Sequence, residues 1–271
     1  TIGVAEACRA LDLRLKSILA VDTDAAALSV YQQNIPTKFA ECGPIEALLD
    51  SEPGAPLSEA ERSLQMSVKR VDLLVGGPPC QGHSDLNNRT RRNDPKNGLY
   101  LKMARFAEVC SPAHIIIENV RGVQYDSEAV LDRTQDHLRS LGYHVDAEVV
   151  RSDTVGVPQA RPRVLLIASR NVAVTVRDVV ERYRVAKPRT FNWACDDLVE
   201  TDDSAPFDRP ATPKAITRER IDYLFDFHRF ELPNHMRPKC HQDGHTYPSV
   251  YGRIRGDEPA PTITSGFMTM G

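Results

Sequence analysis

Cys80 is the residue of this chain whose setting is most typical of covalent catalysis. It comes after an apolar run, Val71 to Val75, then two glycines and two prolines, Pro78 and Pro79. The apolar run predicts a strand, and the glycines place the proline turn at the carboxyl edge of a sheet, where open α/β folds bind ligands. Because each proline fixes a φ angle, the backbone sets the position of the thiol. A cysteine displayed in this way can act as a nucleophile, whereas an arbitrary cysteine is more often a small buried side chain.

Two further segments place polar side chains at the ends of predicted strands. An apolar run that starts at His114 ends in Glu118, Asn119 and Val120. The segment 159–163, which reads Gln-Ala-Arg-Pro-Arg, leads into another apolar run. A carboxylate and a pair of arginines at strand ends can form a salt bridge, or they can bind a polar substrate when they lie beside a nucleophile.

Together these three segments resemble the cytosine-5 DNA methyltransferase family, whose nucleophile lies in a Pro-Cys-Gln segment after a strand and two glycines. The Glu-Asn-Val and Gln-x-Arg-x-Arg segments occur in the family's order, and the resemblance covers about Ala20 to Ala168. It implies a Rossmann-like α/β fold, with a mostly parallel sheet, helices on both faces and a small irregular target-recognition domain. It also implies methyl transfer from S-adenosyl-L-methionine to carbon 5 of a cytosine in a specific sequence of double-stranded DNA.

The resemblance assigns roles to individual residues. Cys80 adds to carbon 6 of the cytosine, and Glu118 hydrogen-bonds the exocyclic amine and ring nitrogen 3. Arg163 reaches the cytosine carbonyl, while Arg161 supports the site by pairing and hydrogen bonding. Because they stand two apart on a predicted strand, the two arginines are expected to share one face. The residues expected to shape the site are Pro78, Gln81, Asn119, Val120 and Gln159.

Five residues are predicted to bind the cofactor. Asp22 ends a predicted strand, where Rossmann-like folds place the acid that binds ribose hydroxyls. The resemblance places Thr23 and Ile45 against adenine, and Pro79 and Leu99 at the methionine end. Thr23 stands where the family more often has a larger apolar residue, and the segment 42–45 lacks the family's usual aspartate.

The implied chemistry requires that the target base leave the DNA duplex, because stacking buries carbons 5 and 6. The polar and basic loop Gly82 to Asn97 is suited to close over an extruded base, with Ser84 and Arg89 as candidate contacts. The net charge of -3 argues against a protein that coats nucleic acid without sequence preference. Local clusters are still candidates for phosphate contact: Arg89, Arg91, Arg92 and Lys96, and, nearer the C-terminus, Arg229, Arg237, Lys239, Arg253 and Arg255.

The pattern of elements predicts three regions. Residues 1–185 alternate strands and helices and form the catalytic and cofactor-binding domain; residues 186–245, interrupted by prolines, form the target-recognition domain; and residues 246–271 return toward the catalytic domain. Helices are predicted over Thr1–Leu13, Asp24–Asn34, Leu57–Met66, Gly98–Cys110 and Glu128–Leu141, and strands over Lys16–Val21 and Tyr143–Arg151. Asp24 is an alternative N-cap for the second helix.

Composition narrows the remaining choices. A chain of 271 residues with 41% hydrophobic and 26% charged residues suits one α/β domain and a smaller lobe. It contains neither a run of roughly 18 apolar residues nor a secretory signal pattern, so we expect a cytoplasmic protein with no membrane association. The resemblance implies a bacterial-type enzyme, which we expect to be a monomer and to associate with the nucleoid when it binds DNA. None of the six cysteines is paired with another at the C-x-x-C spacing. The sequence therefore suggests neither a zinc site nor a disulfide framework. The histidines at 228, 235, 241 and 245 also match no metal-ligand spacing.

Two segments typical of the family are absent from the sequence. The strand and glycine-rich loop that should precede the first helix are missing, with Gly3 as a candidate remnant, and so are the family's last segments. We therefore expect an internal fragment of a longer protein, in which a cognate restriction endonuclease would be a functional partner. Two alternatives remain: a catalytically silent DNA-binding fragment, and the tRNA-methylating branch, whose Cys-Phe-Thr signature is absent here.

Overall fold

The structure is a computed structural model that describes residues 1–79, 95–198, 212–243 and 252–263. The chain divides into two compact units. The first contains Thr1–Val149 and Arg163–Val179, and the second contains Val150–Pro162 and Val180–Gly271. The assignment of one region to catalysis and another to target recognition stays a prediction, since compactness does not show what a unit binds.

The strands form an α/β arrangement that is mostly parallel. In chain order they are β1 (Ser17–Asp22), β2 (Thr37–Cys42), β3 (Leu73–Gly76), β4 (His114–Val120), β5 (His144–Arg151) and β6 (Pro162–Ser169). β1 pairs with β2 in parallel, and a second sheet has the order β3-β4-β6-β5. In that sheet β3 is parallel to β4, whereas β6 runs antiparallel to β4. The expected fold class is confirmed.

The helices of the described ranges are α1 (Ile2–Ala10), α2 (Ala25–Asn34), α3 (Glu59–Val68), α4 (Leu99–Cys110), α5 (Val130–Ser140), α6 (Val176–Tyr183), α7 (Phe191–Cys195) and α8 (Ala215–Asp226). Local capping explains where two of them begin. The Asp24 carboxylate accepts hydrogen bonds from Ala26 N and Ala27 N, so Asp24 is the N-cap of α2. Ser58 and Glu61 form a reciprocal capping box at the start of α3. None of these helices has both the length and the apolar run needed to cross a membrane.

α4 is the central helix of the first unit because it buries two faces. Tyr100, Ala104 and Ala107 pack with Ile115 and Ile117 of β4 in one cluster. In a second cluster Phe106, Val109 and Cys110 pack with side chains of α3, and β1 and β3 contribute to the rim of that cluster. Each fully buried aliphatic side chain contributes roughly 1.5–3 kcal/mol to folding. The packing of α4 thus fixes β4, the strand that carries the predicted catalytic Glu118 near its end.

A buried ion pair joins α3 to α4. Arg105 and Glu61 are both inaccessible to solvent, and Arg105 Nε donates to Glu61 Oε1 at 2.8 Å. The remaining guanidinium nitrogens of Arg105 donate to Glu61, Glu108 and the carbonyls of Ala55 and Pro56. The Glu61 carboxylate also accepts backbone hydrogen bonds from Ser51 and Ser58. A buried charge pair is tolerated when its hydrogen-bonding groups are satisfied in this way.

In the second unit the loop before β6 is held by backbone contacts. Ala160 N donates to Ala260 O at 2.8 Å, and Ala260 N donates to Pro158 O at 2.9 Å. The prolines of this region do not prevent a 12-residue helix, α8, which the interrupted apolar pattern does not predict. α8 begins directly after Pro213 and Lys214, a position at which a proline costs no helical hydrogen bond.

Candidate active site

Glu118 and Arg163 form an ion pair across two adjacent strands. Arg163 Nε lies 2.8 Å from Glu118 Oε1. In the antiparallel register of β4 and β6, Glu118 is opposite Leu165 and Val120 is opposite Arg163. Glu118 and Arg163 are therefore diagonal neighbours on one face of the sheet, within reach of long side chains. The Glu118 side chain is 47% exposed and that of Arg163 16% exposed, so the carboxylate can be oriented by arginine and still meet a ligand.

The turn after β3 lies against this carboxylate. A Cβ built on Gly77 would be 3.6 Å from Glu118 Oε2. Asn119 Nδ2 donates to Pro78 O at 3.4 Å, and Asn119 Oδ1 accepts from Val120 N at 2.7 Å. Asn119, which is 1% exposed, thus ties the end of β4 to the proline turn. The structure brings together Pro78, Glu118, Asn119, Val120 and Arg163; Cys80 and Gln81, like Ser84 and Arg89, lie outside the described residues.

Gly76 allows the close packing of this turn on α4. A Cβ at Gly76 would collide with the Sδ and Cε atoms of Met103. Residue 76 must therefore be glycine unless the end of the Met103 side chain moves. The last residue of β3 is thus held directly against the helix that carries Leu99.

Arg161 differs from its predicted position. β6 begins at Pro162, so Arg161 precedes the strand and only Arg163 stands on it. The prediction that both arginines stand on a strand is wrong for Arg161, which lies in the loop before β6. There its carbonyl accepts from Ser152 N at 3.1 Å, and the Gln159 carbonyl accepts from Ser152 Oγ at 2.7 Å. Arg163 is the arginine that pairs with Glu118 in the structure, and the supporting role of Arg161 stays a prediction.

The five predicted cofactor residues line one cleft of the first unit. Its volume is about 1050 Å³, and its lining includes Asp22, Thr23, Ile45, Pro79 and Leu99. Asp22 Oδ1 accepts from Asp24 N at 2.8 Å, which orients the carboxylate at the carboxyl end of β1. Ile45 is half-buried and packs against the α3–α4 cluster. The turn residues Gly77 and Pro78, which contact the end of β4, also line this cleft.

The cleft separates β1 from β3. Its walls include consecutive residues of both strands, 17–19 of β1 and 73–76 of β3. Every second residue of a strand points to the same face of its sheet, so a cleft on a face would be lined by alternate residues. Because consecutive residues line this cleft, the edges of the strands border it. Within the described ranges β1 pairs only with β2, and β3 only with β4. The cleft therefore lies between the edges of the two sheets of the first unit.

A family model decides what kind of protein this is. The model of the C-5 cytosine-specific DNA methylases matches residues 3–223. The chain belongs to the C-5 cytosine-specific DNA methylase family. Type II methyltransferase M1.BsuMI of Bacillus subtilis is 41% identical over the whole of this chain, which spans 64% of that relative.

Solved structures support the fold alone. A DNMT2 variant of Spodoptera frugiperda has 20% identity and a TM-score of 0.52, and the match covers 81% of this chain and 62% of that one. A structure titled as a putative DNA modification methyltransferase of an E. coli prophage has 23% identity and a TM-score of 0.51, with 68% of this chain and 48% of that one covered. At these identities the likeness shows the fold and nothing further.

Tyr100 is a buried residue of α4 whose electrostatic link to Glu118 the sequence motifs do not indicate. Its side chain is 1% exposed, and its hydroxyl has no hydrogen-bond partner among the described residues. Burial, and then the charge of Glu118, raise the pKa of Tyr100 far above its ordinary value. The spacing of Tyr100, Ala104 and Ala107 on α4 marks a core-facing helix stripe. That signal predicts burial, but it does not predict proximity to Glu118.

The described residues offer no cluster of metal ligands. Over residues 1–79, 95–198, 212–243 and 252–263, no three His, Cys, Asp or Glu side chains are grouped so that they could hold a metal ion. The same ranges contain free cysteines at positions 8, 42, 110 and 195.

Proposed function

We propose that this chain transfers a methyl group from S-adenosyl-L-methionine to carbon 5 of a cytosine in double-stranded DNA. The observation that carries the proposal is the Glu118–Arg163 pair beside the proline turn that leads to Cys80. Membership of the C-5 cytosine-specific DNA methylase family, and the similarity to a Type II methyltransferase, support it. The same similarity makes a restriction endonuclease of matching specificity a candidate partner.

Cys80 is the proposed nucleophile. Its thiolate adds to carbon 6 of cytosine, and the electrons of the 5,6 double bond move so that carbon 5 becomes nucleophilic. After carbon 5 has gained the methyl group, it loses its proton and the bond between sulfur and carbon 6 breaks. The thiolate is thereby regenerated. The cytosine has gained the methyl group that S-adenosyl-L-methionine has lost, and it has released its carbon-5 proton to solvent.

Glu118 and Arg163 are proposed to prepare the base for this addition. The Glu118 carboxyl group binds ring nitrogen 3 and the exocyclic amine, which favours electron flow into the ring and selects cytosine over thymine. Arg163 holds this carboxyl group through its 2.8 Å contact, and its guanidinium also binds the cytosine carbonyl. A guanidinium suits both tasks because it offers several donors in a rigid plane.

The cleft residues fit S-adenosyl-L-methionine in chemical type. Asp22 offers a carboxylate for ribose hydroxyls at the end of a parallel strand, and Ile45 offers an apolar surface for adenine. Pro79, which belongs to the proline turn, lines the cleft together with Leu99. When bound, the cofactor supplies an electrophilic methyl group. The chain's own contribution is to hold the site beside Gly77 and Pro78, which contact the end of β4 as well as the cleft.

The substrate base must leave the duplex to meet these groups, since the base stack encloses carbons 5 and 6. Glu118 is 47% exposed before any base is bound. A partly exposed carboxylate at a strand end is accessible to an extruded base but not to one that remains stacked.

Covalent trapping tests the proposal. The chain would be incubated with S-adenosyl-L-methionine and duplex DNA in which 5-fluorocytosine replaces cytosine. Fluorine cannot leave as the proton does, so the thioether to Cys80 persists and a denaturant-resistant protein–DNA adduct is expected. Cys80→Ala should abolish the adduct, whereas the control Cys42→Ala, which changes an exposed cysteine, should retain it. An adduct formed equally by Cys80→Ala would contradict the thiol mechanism, and DNA binding without any adduct would favour the silent DNA-binding alternative.

A further inference from the structure

We propose that the hydrogen bond between Asn97 and Asp126 anchors the segment that carries Cys80, and that both residues are positioning residues of the proposed reaction. Asn97 lies in the short 3₁₀ helix Pro95–Gly98 that leads into α4, and Asp126 follows the 3₁₀ helix Arg121–Tyr125 after β4. The inference rests on the proposed function, because it names residues that hold two proposed catalytic groups in place. It goes further by assigning this role to a pair outside the three sequence motifs.

Both side chains of this anchor are buried. Asn97 is 5% exposed and Asp126 is 9% exposed, and Asn97 Nδ2 donates to Asp126 Oδ2 at 2.7 Å. The partner fixes the orientation of the amide, because a carboxylate oxygen accepts hydrogen bonds and does not donate them. The other oxygen, Asp126 Oδ1, accepts from Glu128 N at 2.9 Å and from Val130 N at 3.4 Å. One carboxylate therefore links the segment before α4 to the start of α5.

The segments on both sides of the anchor are held by one hydrophobic cluster. Tyr100, three residues after Asn97, belongs to the same buried cluster as Val123 and Val130, which flank Asp126 in the sequence. Because packed interiors leave side chains little room to move, a hydrogen bond between two such segments has little freedom to lengthen or rotate. The anchor therefore fixes position more closely than a hydrogen bond on the surface would.

The anchor and a second asparagine stand on either side of the segment 80–94 in the sequence. Before that segment, Asn119 Nδ2 donates to Pro78 O at 3.4 Å. After it, the anchor makes its 2.7 Å bond. Both bonds lead to residues 119–126, the part of the chain that directly follows Glu118. The described residues that precede and follow the segment are thus both tied to the strand end that carries Glu118.

Stability alone does not account for an asparagine at position 97. The carbonyl oxygen of its side chain, Oδ1, is buried and has no hydrogen-bond partner among the described residues. A buried acceptor without a partner costs free energy, and native folds contain few of them. An apolar pair of the same shape in place of Asn97 and Asp126 would avoid this cost. The cost indicates that the pair is retained because it sets the position of the chain.

The position of Cys80 relative to Glu118 matters because both groups act on one base. Under the proposed function the thiolate adds to carbon 6 while the Glu118 carboxyl group binds ring nitrogen 3. A misplacement of about 1 Å between such groups lowers a reaction rate by about 100-fold. The anchor is therefore expected to affect the rate of the chemical step and not the affinity for DNA or for S-adenosyl-L-methionine.

Asn97→Ala tests the anchor, and Tyr143→Phe is the control for lost stability. Asn97→Ala removes the donor to Asp126 and should lower the single-turnover rate constant of methyl transfer to duplex DNA by about 10- to 100-fold, with unchanged affinity for DNA and cofactor. Tyr143→Phe removes another buried hydrogen bond of the same cluster, to Pro112 O at the opposite end of β4 from the anchor. It should lower the Tm and leave the rate constant unchanged. At a temperature at which circular dichroism shows both variants folded, an unchanged rate constant in Asn97→Ala, or an equal loss in both, would overturn the proposal.

An exchange of the two side chains provides a rescue. Asn97→Asp places a second carboxylate against Asp126, and the repulsion between two buried like charges should lower both the Tm and the rate constant. The double variant Asn97→Asp/Asp126→Asn restores an amide–carboxylate hydrogen bond in the reverse direction, so it should recover most of the rate constant. It also supplies a folded protein if Asn97→Asp does not fold. A folded double variant that is as slow as Asn97→Ala would contradict the role of this hydrogen bond.

Alkylation of Cys80 tests the anchor without methyl transfer, so the two proposals can fail separately. The rate at which iodoacetamide modifies Cys80, followed by mass spectrometry of the peptide, should differ at least about threefold between Asn97→Ala and the unmodified chain, because thiol reactivity depends on exposure and surroundings. Tyr143→Phe should leave this rate unchanged. That result, without methyl transfer or adduct by the unmodified chain, would leave the anchor standing and remove the proposed function. An adduct from the unmodified chain, together with equal alkylation and equal transfer rates in Asn97→Ala, would remove the anchor and leave the proposed function standing.

Discussion

The contact between Arg163 Nε and Glu118 Oε1, 2.8 Å apart, exists because β6 runs antiparallel to β4. In that register Val120 faces Arg163, and the diagonal neighbour of Arg163 on the same face is Glu118. Had β6 been parallel, or shifted by one residue, the arginine would face a different residue or the opposite side of the sheet. The orientation of the proposed catalytic carboxylate therefore depends on sheet topology as much as on the motifs.

Arg163→Gln is expected to lower the rate of methyl transfer more than Arg161→Gln does. The first change removes the guanidinium that orients Glu118 and that is proposed to bind the cytosine carbonyl, a loss of about 100-fold for a preorganised donor. The second change alters a residue that precedes β6 and that is anchored there through its backbone. The measurement is transfer of tritiated methyl groups to duplex DNA under single-turnover conditions. A greater loss in Arg161→Gln would show that the loop arginine, and not the strand arginine, contacts the base.

The sequence predicts most helices and strands of the first unit with borders that shift by a few residues at most, because caps and apolar spacing are local signals. The predicted helix at 98–110 is α4, and the predicted strand at 143–151 is β5. The sequence does not predict β2, because Thr37–Cys42 has no alternating apolar pattern. This strand forms by pairing with β1. The sequence does not predict α8 either, because prolines lie on both sides of this helix and only a few of its residues are buried.

The candidate site can be predicted only in part from the sequence, because the sequence patterns report local structure and not contacts between distant segments. Motifs give Glu118, Asn119 and the proline turn, since these residues adjoin one another in sequence or stand at strand ends. The pairing of Arg163 with Glu118 requires strand direction and register, which no local pattern encodes. The approach of Tyr100 to Glu118 depends on how α4 packs on β4, which is decided by the whole core.

Tyr100→Phe is expected to leave the chain as stable as before or slightly more stable. The change removes a buried hydroxyl without a partner among the described residues, and an unsatisfied buried polar group costs about 1–3 kcal/mol. The free energy of unfolding, obtained from urea denaturation, is the measurement. Tyr143→Phe is the control, since the Tyr143 hydroxyl donates to Pro112 O at 2.6 Å and its loss should destabilise. A clear destabilisation by Tyr100→Phe would show that the hydroxyl makes a stabilising hydrogen bond in the folded chain and would contradict this prediction.

Cys110 is expected to resist alkylation under conditions that modify Cys42. Burial raises the pKa of the Cys110 thiol to about 12, so the reactive thiolate is almost absent at pH 8. Cys42 is exposed and serves as the internal control. Mass spectrometry after iodoacetamide treatment of the folded chain measures both sites, and treatment in urea should modify Cys110 as well. Early modification of Cys110 in the folded chain would show that α4 opens more readily than its packing indicates.

The Glu61–Arg105 pair should make the chain less stable in acid. The hydrogen bond from Arg105 lowers the pKa of Glu61 from 4.5 to about 2. A carboxyl group whose pKa is depressed by folding stabilises the fold above its ordinary pKa, and that stabilisation is lost as pH falls toward the folded value. At pH 7 this stabilisation is fully present and adds about 3 kcal/mol to the free energy of unfolding. About 2 kcal/mol of it is lost by pH 3. Urea unfolding at both pH values measures the loss.

Variants separate this pair from general acid denaturation. Glu61→Gln should reduce the pH dependence between pH 3 and pH 7, whereas Glu59→Gln, an exposed neighbour in the first turn of α3, should retain it. Arg105→Met should cost about 3–5 kcal/mol at pH 7, because it leaves the Glu61 charge buried without its partner. The double variant Glu61→Gln/Arg105→Met should recover part of that cost, since no unpaired charge remains. Equal pH dependence in Glu61→Gln and Glu59→Gln would place the acid sensitivity elsewhere in the fold.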